Sequence, residues 1–281
     1  DCAKAINILQ TNPSPINQYD GVNLVKNPTK PLIAIPTTAG TASEVTVVSV
    51  VTDTTAKKKM VIAGQFVGPS IALVDPEMTI GMPPSITAAT GMDALTHAIE
   101  AFVSKAAMIP TDLFALKAIE LIYKNLPKAT KDGKDIEART NMLLGSMLAG
   151  YAFNSAMLGL VHSIAHPLSV HCGLPHGVAN AAALPWVMEF NAVEIPERTK
   201  EVALAMGLDV ADMSATEAAA AAVEAIKQLS KDIQIPTLEA LNVSKDQFDR
   251  LAEDALKEAA TFFNPRTPNK DNVLELLELA Y

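Results

Sequence analysis

Apolar positions along this chain follow two different rhythms. Up to about residue 80 they come in short, β-branched runs bounded by Gly, Pro or Asp-Thr turns. Pro31-Leu-Ile-Ala-Ile-Pro36, Val45-Thr-Val-Val-Ser-Val-Val-Thr52, Lys59-Met-Val-Ile62 and Ile71-Ala-Leu-Val-Asp75 predict strands. After Met82-Pro-Pro-Ser85, Ala, Leu and Met recur at helical spacing almost to Tyr281. That rhythm is broken at Pro127 to Gly133, Pro196, Pro236 and Pro265 to Pro268. Ser214-Ala-Thr-Glu217 and Ser244-Lys-Asp-Gln247 read as capping boxes that open two late helices. The Ala215 to Ala225 run reads as a small-residue face for close helix packing. Asp1 to Leu9 reads as the interior of an amphipathic helix, with Ile6 and Leu9 spaced to face a core. The expectation is an incomplete α/β domain over 1–82, its earlier part lying upstream, followed by an all-helical domain over 83–281.

Composition narrows the function classes. At 281 residues there is room for two domains, and a net charge of -9 argues against nucleic-acid binding. The densest basic run, Lys57-Lys58-Lys59, is too short for a basic patch. Two cysteines, Cys2 and Cys172, fit a reducing cytoplasm better than a disulfide framework. No segment reaches the roughly 18 uninterrupted apolar residues of a membrane span. A mean hydropathy of +0.21 predicts extensive burial, including the interfaces of a homo-oligomer.

The histidines change the picture most. All five lie between His97 and His176, and four of them between His162 and His176. Asp93 and His97 are four apart in an apolar helical pattern, which puts them on one face, one turn apart. His162 and His166 repeat the spacing on a second helix, which Pro167 is expected to limit, and Leu174-Pro-His-Gly177 brings His176 back through a turn. An isolated histidine is more often a hydrogen-bonded core residue. Two apolar segments that both carry such partners point instead to a divalent metal, since imidazole and carboxylate suit iron, zinc, nickel or cobalt. One carboxylate and three imidazoles would leave a coordination position open, as catalytic sites do.

One loop offers a second chemistry. Ile35-Pro-Thr-Thr-Ala-Gly-Thr-Ala-Ser-Glu44 follows a predicted strand and presents the hydroxyls of Thr37, Thr38, Thr41 and Ser43 around a glycine. Hydroxyls and free amides suit a nucleotide, although most such loops are simply turns. No G-x-G-x-x-G occurs anywhere in the chain.

Together these segments resemble one family, the iron-containing (group III) alcohol dehydrogenases. The likeness rests on Pro36-Thr-Thr-Ala-Gly-Thr-Ala-Ser-Glu-Val-Thr46, Ala89-Thr-Gly-Met-Asp-Ala-Leu-Thr-His-Ala-Ile-Glu100, Gly159-Leu-Val-His-Ser-Ile-Ala-His-Pro-Leu168 and Pro175-His-Gly-Val-Ala-Asn180, in that order. It extends from Asp1, which resembles the end of the family's Gly-rich pyrophosphate element, to Asn264-Pro-Arg266. The resemblance implies Asp93, His97, His162 and His176 as metal ligands. It implies His166 as a histidine between metal and nicotinamide, with a role in proton relay. Thr37, Thr38, Thr41, Ser43 and Lys59 are implied as cofactor contacts, and Phe153 and Leu158 as the apolar wall of a small alcohol pocket. His171 matches no implied role. The expected cofactors are Fe²⁺, with Zn²⁺ compatible, and NAD or NADP. The expected partner is a small alcohol or aldehyde. The metal would polarise the alcohol oxygen while hydride passes to the nicotinamide.

Three other readings compete. The same ligands could activate water in a metallohydrolase. A polyol enzyme resembling glycerol dehydrogenase would share the fold, and a metal-binding helical module would lack activity. The threonine loop favours a dehydrogenase over a hydrolase.

Overall fold

The computed structural model describes residues 1–56 and 58–281. Lys57, in the basic run singled out above, lies outside the described residues. The chain begins with helix α1 (Cys2–Leu9), followed by strands β1 (Gly21–Val22), β2 (Ile33–Ala34), β3 (Val48–Asp53), β4 (Lys58–Ala63) and β5 (Ile71–Ala72). β4 sits between β1, parallel to it, and β3, antiparallel to it in the register Val48 to Ala63 and Asp53 to Lys58. β2 and β5 form a separate parallel pair. All four predicted strand segments are present, two of them trimmed to two residues. A small core of Ile8, Tyr19, Val25, Ile62 and Val67 holds α1 against this part.

The buried face of α1 differs from the expected one. Ile6 and Leu9 are exposed, whereas Lys4, Ala5, Asn7 and Ile8 are buried. The turn is set by Lys4, whose Nζ donates to the Thr46 carbonyl (2.9 Å), Thr46 Oγ1 (3.1 Å) and the Val48 carbonyl (2.7 Å). An ammonium with three acceptors can be buried, and hydropathy patterning does not foresee it.

Ten helices appear among the described residues. Those after α1 are α2 (Pro84–Val103), α3 (Ile109–Lys131), α4 (Ile136–Ala156), α5 (Leu160–Cys172), α6 (His176–Ala192), α7 (Pro196–Met206), α8 (Ala215–Asp232), α9 (Phe248–Ala255) and α10 (Lys270–Ala280). The chain is therefore a partial α/β domain followed by an all-α domain. Helix α2 starts with Pro84, whose fixed φ suits a first helical position. It is buried on every side from Thr87 to Phe102 apart from Thr90, so it runs through the helical core rather than along its edge. The fully buried Arg139 of α4 ties its start in place, donating to Thr87 Oγ1 (2.8 Å) and the Met82 carbonyl (3.2 Å).

Two expected breaks and one expected cap fall differently. Pro127 lies inside α3 and Pro167 inside α5, which ends instead at Gly173 in the left-handed conformation. A proline costs one backbone bond but keeps a helical φ, and burial of Leu160, Val161, Ile164, Ala165 and Leu168 holds α5 together around it. The Ser214 capping box forms, but Ser244 opens only a short 3-10 turn with no side-chain cap. No single helix among the described residues is long and apolar enough to cross a membrane.

Two close approaches set the geometry of the site. A Cβ on Gly150 of α4 would lie 2.5 Å from the Ala42 Cβ, so only glycine lets the threonine loop sit on α4. A Cβ on Gly177 would lie 2.5 Å from the Ala89 carbonyl oxygen, so glycine also sets how near the start of α6 comes to α2.

Candidate metal centre

Three helices deliver four donors to one point. Asp93 and His97 come from the middle of α2, His162 from the first turn of α5, and His176 from the first position of α6. One donor atom from each lies within 4.8 Å of all the others. Asp93 Oδ1 is 4.0 Å from His97 Nε2, 3.8 Å from His162 Nε2 and 3.7 Å from His176 Nε2. Ligands held at about 2.1 Å from one cation stand about 3.4 Å apart in a tetrahedral site, so a few tenths of an ångström of closure would suffice. Asp93, His97 and His162 are buried, and the His176 side chain is 29% exposed, so the cluster opens on the His176 side.

The electrostatics favour a cation. Burial alone would raise the Asp93 carboxyl, but the His97, His176 and His162 rings and the Asn180 amide reverse this and hold it below the ordinary carboxylate range. Burial, helped by the His97 and His176 rings, pushes His162 well below the usual imidazole value. Burial lowers His176 to about 4, with the Lys59 ammonium among the charges that add to the effect. Both imidazoles are therefore neutral at physiological pH, as ligands must be. An ionised carboxylate buried among imidazole nitrogens is a place where a positive ion would be balanced.

Groups behind the ligands set which ring nitrogen is free. His97 Nδ1 lies 3.3 Å from the Gly40 carbonyl in the threonine loop, so it carries the hydrogen and leaves Nε2 as a donor to a metal. The same carbonyl accepts from Ser146 Oγ at 3.2 Å. His162 Nδ1 lies 2.6 Å from Glu100 Oε2. Asn180 Nδ2 donates to Asp93 Oδ1 at 2.6 Å and lies 3.2 Å from Nε2 of both His162 and His176. Glu100 and Asn180 were not singled out in the sequence, although a signal existed. Glu100 is seven residues after Asp93 on one helical face, and Asn180 is four after His176.

His166 stands beside the cluster and outside its donor set. Its ring centroid is 6.2 Å from that of His162 and 5.5 Å from that of His176, and its Nδ1 meets Glu258 Oε2 at 3.0 Å. His171 is held away from the site by Asp254, with Nε2 to Oδ2 at 3.0 Å. Phe153 stacks on the His97 ring at 4.5 Å between centroids. Leu158 follows Met157, a residue at φ 63 that turns the chain from α4 into α5, and the two helices meet at 103°. Within the loop Thr37 and Thr41 are exposed and Thr38 is half-buried. The Ser43 hydroxyl donates to Asp1 Oδ1 at 2.6 Å. Lys59 on β4 is half-buried, and burial lowers its pKa.

An α/β layer carrying a hydroxyl-rich loop is pressed against helices that converge on an open carboxylate–imidazole cluster able to hold a divalent metal. Comparison with known proteins gives the family. Residues 87–281 match the model described as Fe-containing alcohol dehydrogenase family, C-terminal, and residues 1–76 match iron-containing alcohol dehydrogenase. The chain is 45% identical over 282 residues to a 1,3-propanediol dehydrogenase of Klebsiella pneumoniae, covering 100% of this chain and 73% of that one. It is 41% identical over 281 residues to an NAD-dependent methanol dehydrogenase of Bacillus methanolicus, covering 100% and 74%. A crystal structure of a 1,3-propanediol oxidoreductase superposes with a TM-score of 0.97 at 44% identity, over 100% of this chain and 74% of that one. The chain belongs to the iron-containing alcohol dehydrogenase family.

Proposed function

We propose that this protein interconverts a short-chain alcohol or diol with its aldehyde, using NAD or NADP and an iron(II) centre held by Asp93, His97, His162 and His176. The observation that carries this reading is the meeting of four donors from three helices within 4.8 Å, beside a loop whose Gly40 carbonyl orients one of them. The names of the related enzymes support a small alcohol substrate and a nicotinamide cofactor. When bound, the metal supplies Lewis acidity toward an alcohol or carbonyl oxygen.

The remaining roles belong to the chain itself. Thr37, Thr38 and Thr41 offer hydroxyls to the dinucleotide, with Ser43 fixed behind them on Asp1 and Lys59 supplying positive charge. Phe153 and Leu158 form the apolar wall that keeps the substrate small and water out. His166, with Nδ1 occupied by Glu258, keeps Nε2 as the position at which a proton is taken or given. The division of the chain at Met82, between β5 and α2, separates the cofactor side from the metal side. A surface patch of exposed Ile109 and Leu113 with adjoining Phe114 and Tyr151, whose rings are 5.6 Å apart, supports assembly into a homo-oligomer. The free cysteines support a reducing compartment such as the cytoplasm. Family membership favours hydride transfer over the hydrolase reading of the same ligands.

The test strips the complete natural polypeptide with a chelator and reloads it anaerobically with Fe²⁺ or Zn²⁺. Nicotinamide absorbance is then followed with a panel of short alcohols, diols and aldehydes. Activity lost on stripping and restored by Fe²⁺ is the expected result. Turnover that survives complete stripping overturns the reading.

A further inference from the structure

The least expected group near the cluster is a second buried carboxylate. Glu100 is 3% exposed and lies on α2, one turn beyond His97 and two beyond Asp93. One of its oxygens, Oε2, meets His162 Nδ1 at 2.6 Å, and the other, Oε1, accepts the Val161 backbone N–H at 2.6 Å. We propose that Glu100 is the positioning residue of the metal centre: its carboxyl group fixes His162 with hydrogen on Nδ1 and Nε2 free. This inference rests on the metal reading of the four-donor cluster.

Two observations carry it. First, both oxygens face donors, so a carboxylate satisfies the pair and an amide cannot. A glutamine would turn its NH₂ group toward either His162 Nδ1 or the Val161 N–H. In the first orientation the imidazole is driven to carry its hydrogen on Nε2, where a metal would need the lone pair.

Second, Glu100 helps to hold the ligand's own helix. The first turn of α5 has no side-chain cap of its own. Its free N–H groups are met instead by Glu100 at Val161 and by Asn264 Oδ1 at Leu160, 3.2 Å away. One carboxylate thus sets both the position of the turn that carries His162 and the rotation of its ring. Carboxylates behind ligating imidazoles commonly raise metal affinity about 10–100-fold.

The experiment uses the complete natural polypeptide, stripped of metal and titrated with Co²⁺ against a chromophoric chelator. The proteins compared are the unaltered form, Glu100→Gln, Glu100→Asp and Asp93→Ala. Melting temperature is recorded on each metal-free form. Glu100→Gln is expected to bind Co²⁺ about 10–100-fold more weakly while its metal-free form melts close to the unaltered protein. Glu100→Asp is expected to fall between the two, and Asp93→Ala to lose binding. Unaltered affinity in Glu100→Gln beside lost binding in Asp93→Ala overturns the role of Glu100 and leaves the site intact. Retained binding in Asp93→Ala overturns the site itself. A lowered melting temperature with full affinity in the folded protein reduces Glu100 to a helix cap, which also overturns the proposal. Should Glu100→Gln fail to fold, Glu100→Asp decides: several-fold weaker binding supports the role, and unchanged binding removes it.

Discussion

His166 and His162 are one helical turn apart, and their surroundings give them different work. His162 is fully enclosed, with Glu100 behind it, and His166 is half-buried, with Glu258 behind it. His166→Gln should therefore leave metal content unchanged and slow turnover by about 10²–10⁴-fold, the usual contribution of a positioned acid–base group. Metal analysis and single-turnover kinetics on one preparation check this. Normal turnover in the variant would remove His166 from the chemistry, and lost metal would make it a ligand. Helical spacing makes Asp93 and His97 legible as a pair in the sequence, whereas setting His176 with His162 in place of His166 rests on the family resemblance. The groups that orient them were harder to see. Glu258 lies 92 residues from His166 and Gly40 lies 57 residues from His97, so only the folded chain brings each pair together. Glu100 was visible two turns from Asp93, but a glutamate in a helical pattern reads first as a solvated one.

At the scale of elements, the centre depends on how closely three helices approach. Gly177→Ala would push a Cβ into the Ala89 carbonyl, a backbone atom that cannot swing aside. The variant should lose about 1–3 kcal/mol of stability through overpacking, and it should bind metal more weakly because His176 is the neighbouring residue. Calorimetry and metal titration read the two effects, and a variant unchanged in both would show that α6 is free to shift. Met157, at φ 63, holds a backbone conformation that glycine adopts more easily. Met157→Gly should therefore raise stability by about 1 kcal/mol, seen as a higher melting temperature. A lower one would mean that the Met157 side chain, not its backbone, holds the turn. Element types were readable from hydrophobic spacing for most of the chain, though the two-residue strand β1 was not foreseen. Their ends and faces were not: Pro167 sits inside α5, and α1 buries Lys4 in place of Ile6. In each case packing and hydrogen bonds from distant residues outweigh the local pattern.

Across the whole molecule, the threonine loop and the metal ligands are parts of one connected structure. Gly40 reaches His97 from the loop and accepts from Ser146 of α4, while the Asn154 side chain of α4 accepts the Val47 N–H just after the loop. The threonine loop and the four-donor cluster therefore share an orienting contact, and the α/β part is anchored beside the cluster. The change of rhythm made an α/β part followed by a helical part legible in the sequence, but the contacts that join them were not, because each links residues far apart along the chain. The account stands most directly on the four-donor set. Metal content per chain, measured on the complete natural polypeptide with Asp93→Ala, His162→Ala and His166→Gln beside it, tests that set in one comparison. The account predicts stoichiometric metal in the unaltered protein and in His166→Gln, with near-complete loss in the other two. Metal retained at full stoichiometry in both Asp93→Ala and His162→Ala would contradict it.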